Sequence, residues 1–229
     1  MAPMFPRGSR AAIKLAAAAA LAFLSVTGGS ALQQGAAWSF DDVPAGRPPP
    51  GFVFASSPTE QAGQWVVLRD GANALLAQTQ RGRPGVHLAV VEGTSFADLT
   101  VSARVRFSEG PGSAGLAWHY RDADNYYFVA LDLRAQDVRI YRVAGGNRTR
   151  LEDEDDLELD PGAWHLLKVE HRGMRMRVWI DGVPVADERD RALQEPGAVG
   201  FWTTGDAVTW FDDLRVEPVI ESERDRRRR

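Results

Sequence analysis

Residues 99–107 read Leu-Thr-Val-Ser-Ala-Arg-Val-Arg-Phe, apolar at every odd position and polar at every even one. A repeat of two belongs to an extended strand with one face in a core and the other in water. Gly110-Pro-Gly112 stops that segment. The same unit, a short segment ended by a turn signal, recurs along the chain. Strands are expected at 65–68, 74–80, 86–91, 99–107, 116–121, 126–133, 138–143, 164–171, 174–180, 183–186, 198–203 and 208–216. Asp122-Ala-Asp-Asn125 joins two of them as a hairpin. The four prolines from Pro44 to Pro50 keep that run out of any central strand. Residues 152–158, strongly acidic, read as a surface loop, and a helical turn has room only near 192–195. Many short strands at regular spacing predict an all-β sandwich or barrel.

The 229 residues suit one such domain, and 44% hydrophobic residues supply a core. There is no cysteine, which excludes disulfides, thiolate metal sites, a cysteine nucleophile and a lipoprotein anchor. Residues 1–31 have the layout of an export signal. Arg7, Arg10 and Lys14 precede an apolar stretch from Leu15 to Val26, which is short of the ~20 residues that span a bilayer. Small residues follow, with cleavage expected after Ala31; an uncleaved anchor is the alternative. The expected organisation is signal peptide 1–31, linker 32–37, domain 38–217 and a charged, disordered tail 218–229. The expected location is periplasmic or extracellular, with no stable membrane insertion after cleavage. The formal charge is −4, and removing residues 1–31 takes away three cations and no acid. A domain that acidic is a poor nucleic-acid binder.

Several segments, taken in order, resemble the concanavalin A-like lectin/glucanase jelly rolls. The likeness is greatest to the laminin-G-like and 3-keto-disaccharide hydrolase-like bacterial domains. They are Phe96-Ala-Asp-Leu-Thr-Val101, Ser113-Ala-Gly-Leu-Ala-Trp-His-Tyr-Arg121 with Asn125-Tyr-Tyr127, and Gly162-Ala-Trp-His-Leu-Leu-Lys-Val169. Val178-Trp-Ile-Asp-Gly182, Gly197-Ala-Val-Gly-Phe-Trp202 and Phe211-Asp-Asp-Leu-Arg-Val216 complete the set. The resemblance spans about residues 38–217 and implies a two-sheet antiparallel jelly-roll sandwich. Two positions depart from the hydrolase-like pattern: His119 stands where an arginine is usual, and Phe211-Asp-Asp213 replaces Phe-Arg-Asn. The paired-carboxylate strand signature of the glucanases is absent. Trp164 and Trp179 are expected as core anchors. Gly115 and Gly200 are expected where strands leave no room for a side chain.

Two constellations are candidates for function. Read with period two, Ala117, His119 and Arg121 share one face of their strand. With Tyr127, Tyr141 and Trp202 they would line a concave sheet, where aromatic rings stack on sugars and guanidinium donors bind hydroxyls. The alternative is that Arg121 pairs with Asp122 or Asp124 and His119 faces solvent. The fold also brings terminal strands side by side, so Asp41 and Asp42 would meet Asp212 and Asp213. Four carboxylates together would call for a hard cation, calcium. Three functions stay open. The first is a non-catalytic module for carbohydrate, and the second a sugar-processing hydrolase or lyase that uses His119 as base. The third is an envelope protein-interaction domain. No cofactor is required by any of them.

Overall fold

The odd-numbered residues of 99–107 all enter the interior. Leu99, Val101, Ala103, Val105 and Phe107 are buried, while Thr100, Ser102, Arg104 and Arg106 stay partly open. The computed structural model describes residues 34–56, 63–81, 85–110, 112–132, 134–155, 157–160, 162–204 and 207–219. The expected signal peptide, the first two residues of the linker and nearly all of the tail lie outside them.

The described residues form fifteen strands and no helix. In chain order they are β1 (Ala36–Trp38), β2 (Phe52–Ser56), β3 (Trp65–Asp70), β4 (Asn73–Gln78) and β5 (Val86–Val91). Then come β6 (Leu99–Glu109), β7 (Ser113–Asp122), β8 (Asn125–Asp132), β9 (Asp137–Ala144) and β10 (Asn147–Glu154). The last are β11 (His165–Arg172), β12 (Arg175–Ile180), β13 (Val183–Arg189), β14 (Ala198–Thr204) and β15 (Val208–Pro218). No helix among these residues is long and apolar enough to cross a membrane.

The strands make two antiparallel sheets. The eight-strand sheet runs β13-β12-β11-β6-β15-β4-β3, and β1 joins β15 beside β4. The seven-strand sheet runs β10-β9-β8-β7-β14-β5-β2. Inner faces of both sheets supply one large core, including Leu99, Val101, Leu116, Val129, Val169, Phe201 and Phe211. This is the layered solution for sheets that are apolar on one face.

Several expectations are corrected. The acidic run 152–158 is strand as far as Glu154, because β10 is an edge strand whose exposed side chains need not be apolar. Residues 52–56 form an unexpected strand, and the linker ends at Ala36, where β1 pairs with β15. Residues 192–195 are not helical. Trp164 and Trp179 are not core anchors. Met176, Val178 and Ile180 turn inward, so Trp179 between them must face out, and both tryptophans are only half-buried. The glycine expectation holds: a Cβ on Gly115 would lie 2.0 Å from the Val129 carbonyl oxygen, and one on Gly200 2.3 Å from that of Ala89.

Candidate functional site

The seven-strand sheet is apolar on both faces. Its outer face carries Leu88 and Val90 from β5, Trp202 from β14, Ala117 from β7, Tyr126, Phe128 and Ala130 from β8, and Val143 from β9. Trp202 on β14 and Phe128 on β8 stack at 4.3 Å across the intervening strand β7. That strand carries only Gly115 and Ala117 beneath the rings, and Trp202 pairs in register with Gly115. Phe128 also stacks on Tyr141 at 4.8 Å, and Tyr126 links it to Tyr120, both ring pairs at 5.8 Å. The inner rings close on one another, while Tyr120 and Tyr141 are half-exposed. Burial pushes the Tyr126 hydroxyl up to about 12, against the pull of the neighbouring Trp202 indole, so it stays a neutral donor.

At one end of this band the tips of two hairpins form a cleft of about 190 Å³. Val86, Val143 and Tyr126 give it apolar walls, and Asp124 and Arg148 give it a charged rim. The hairpins brace each other. Gly145 N–H donates to Asn125 Oδ1 at 3.1 Å, and Gly146 N–H donates to the Asp124 carbonyl at 3.0 Å. Asp122 Oδ1 accepts from Asp124 N–H and from the Asn125 amide, which fixes the turn. Arg148 lies over the Tyr141 ring at 5.4 Å, its guanidinium held beside the aromatic band. Apolar walls with one acceptor and one donor group on the rim suit a small polyhydroxylated ring. The volume lies below the usual range for drug-sized ligands.

The expected site residues divide. Tyr141 and Trp202 do lie on the outer face of this sheet. His119 and Tyr127 do not, and the expectation that they line it is corrected. His119 has φ 48°, and β7 carries one extra residue there: Gly200 pairs with Ala117, but Ala198 pairs with Tyr120. This bulge reverses the alternation. His119 therefore turns inward with Trp118, and Tyr120 turns outward instead. Both His119 ring nitrogens face carbonyl oxygens, Leu193 at 3.0 Å and Ala97 at 2.7 Å. Its ring stacks on His171 at 4.4 Å. Tyr127 is fully buried in the core; its hydroxyl donates to Asp190 at 2.6 Å and accepts from Leu193 N–H at 3.1 Å. Arg121 is exposed, and Asp122 spends its carboxylate on the turn.

The four aspartates do not gather, and this expectation is corrected too. The terminal strands pair as foreseen, but protein donors take the carboxylates. Asp41 accepts from Ala74 N–H at 3.0 Å, and Asp212 accepts from the Asn73 amide at 2.8 Å and from Asp213 N–H at 2.7 Å. Asp213 faces Arg104 at 3.8 Å, and Asp42 is exposed. No three acidic or histidine side chains among the described residues are placed to hold a metal. Tyr126, Phe128, Asp124 and Arg148 were not foreseen. The Tyr126/Phe128 face was masked because Tyr127, Val129 and Leu131 on the other face are equally apolar.

A family model, the 3-keto-alpha-glucoside-1,2-lyase-like domain, matches residues 45–217. No curated protein matches the chain. Among solved structures, it is similar to the carbohydrate binding module CBM66 from Bacillus subtilis, with TM-score 0.59 and 20% identity over 72% of this chain and 94% of that one. It is also similar to domain 4 of AbnA, an extracellular arabinanase from Geobacillus stearothermophilus, in complex with arabinotriose. There the TM-score is 0.57 and the identity 12%, over 84% and 97% of the two chains. The VIP36 exoplasmic/lumenal domain in its Ca2+/Man3GlcNAc-bound form gives 0.53 and 12%, over 76% and 86%. At these identities the likeness establishes the concanavalin A-like jelly-roll fold.

Proposed function

The chain belongs to the 3-keto-alpha-glucoside-1,2-lyase-like domain family, and from that premise we propose that it is an exported, non-catalytic carbohydrate-binding module. The observation that carries this reading is the cleft of Val86, Tyr126 and Val143 rimmed by Asp124 and Arg148. The apolar walls, with buried Tyr126 as the floor, take the C–H face of a sugar ring. Asp124 accepts from its hydroxyls, and Arg148 donates to them. The neighbouring folds support the reading, since a carbohydrate binding module, an arabinotriose complex and a Man3GlcNAc complex are among them. Export rests on the basic, apolar and small-residue order of residues 1–31. N-terminal sequencing of the secreted protein is expected to begin at Leu32.

The test is thermal melting of the protein against a panel of neutral oligosaccharides. A ligand of the native state at a hundred times its dissociation constant adds about 2.7 kcal/mol, which raises the midpoint by several degrees. A sugar-specific rise that disappears in Arg148→Ala is expected. No rise with any sugar contradicts the reading. Turnover of the bound sugar would move the protein to the enzyme reading, with a base other than His119, whose two nitrogens already face carbonyls.

A further inference from the structure

The outer face of the eight-strand sheet carries three of the chain's seven tryptophans, and each has a cation on its ring. Arg104 lies 4.9 Å from the centre of Trp164, Arg106 5.0 Å from Trp210, and Lys168 4.4 Å from Trp179. The strand parity that fills the core produces this arrangement. Arg104 and Arg106 are among the outward residues of β6, as are Lys168 on β11 and Trp179 on β12. In register, Trp179 pairs with Lys168 and Lys168 with Ser102, while Trp210 pairs with Arg106. The rings are thus staggered over four residues of β6, about 13 Å. They form a strip of alternating aromatic and cationic groups.

We propose that this strip is a second carbohydrate surface, and that it takes polysaccharide whose sugars bear carboxylates. An indole offers its face to the C–H bonds of a sugar ring, and a cation fixed on that ring meets a carboxylate projecting from the same sugar. The cations are available for this. Lys168 makes no ion pair among the described residues. Arg104 and Arg106 face Asp213 and Asp70 at 3.8 and 3.6 Å, on half-open side chains, and such solvated pairs are weak and easily exchanged. Arg177, also near Trp179, is held tightly by Glu170 and serves as support. The formal charge of the chain is −4, so a polyanion is steered away from most of its surface and toward such a strip. The surface lies on the other sheet from the cleft, and its fate is independent of the cleft's.

The test is electrophoresis of the full chain through gels containing polygalacturonate or, separately, neutral dextran. Retardation by polygalacturonate alone, weakening as salt is raised, is expected. Lys168→Glu and Trp179→Ala each lower the apparent affinity about tenfold. Lys168→Glu keeps the test decisive if Trp179→Ala fails to fold, and it leaves the melting shift with a neutral cleft ligand unchanged. No retardation, equal retardation in dextran, or full retention of binding in a folded Lys168→Glu variant overturns the proposal.

Discussion

His171 shows how partners decide the state of a buried imidazole. Its Nδ1 accepts from the Trp118 indole N–H at 2.9 Å, so its Nε2 carries the proton and donates to the Gly173 carbonyl at 2.9 Å. A second proton would break the indole bond and set charge against the stacked His119 ring. Burial, helped by His119, lowers its pKa from 6.5 to about 4. The unfolded chain therefore takes up a proton that the native state refuses. This stability is complete above pH 6.5 and is lost as the pH falls toward 4, by up to about 3 kcal/mol. Urea midpoints measured from pH 7 to about pH 4.5 are expected to fall more steeply for the native sequence than for His171→Gln; equal slopes would contradict this. Gly115 is a second site with no tolerance. Its missing side chain lies within 2.0 Å of the Val129 carbonyl oxygen, which is backbone and cannot move aside alone. Gly115→Ala is expected to cost about 3 kcal/mol or to prevent folding, read as a drop of several degrees in Tm.

Elements were legible where one face was plainly polar. The alternation of β6 follows directly from residues 99–107, whereas β5, apolar on both faces, was bounded by the turn signal Glu92-Gly93 that stops it. Parity would also have placed Trp179 outside, between Val178 and Ile180, had its size not suggested a core. The bulge in β7 was not legible. Nothing in Trp118-His-Tyr120 marks an added residue; the bulged backbone is accommodated by the distant Gly197, where a Cβ would come within 2.3 Å of the His119 backbone. The segment after β13 crosses to the other sheet and is held there by His119, which meets the Leu193 carbonyl, and by Tyr127, which bonds Asp190 and Leu193. Burial opposes ionisation of Asp190, but hydrogen bonds from Tyr127 and Ala192 and the Arg142 charge lower its pKa overall. Tyr127→Phe removes one bond to a carboxylate and leaves Leu193 N–H unpaired. It is expected to cost about 2–3 kcal/mol and to speed hydrogen exchange at residues 190–193, not at β6. Uniform acceleration across both sheets would show that this segment is not a local latch.

At the scale of the molecule, two apolar inner faces made the sandwich readable, because the central strands had to bury at least one side. The outer faces were harder. An aromatic band on an outer face and an aromatic core look alike in sequence, and only the three-dimensional register separates Tyr126 and Phe128 from Tyr127. The same limit hid the cleft, whose Asp124, Gly146 and Arg148 come from two hairpins about twenty residues apart. Carboxylates were assigned to a cation because sequence shows their charge but not the amides waiting for them at Ala74 and Asn73. Sugar is expected to bind between those hairpin tips on the seven-strand sheet. The direct measurement is amide hydrogen exchange of the protein with and without a saturating neutral oligosaccharide taken from the melting panel. Added protection at residues 122–126 and 143–148, lost in Arg148→Ala, is expected. Protection confined to the eight-strand sheet, or no change at saturation, would contradict it.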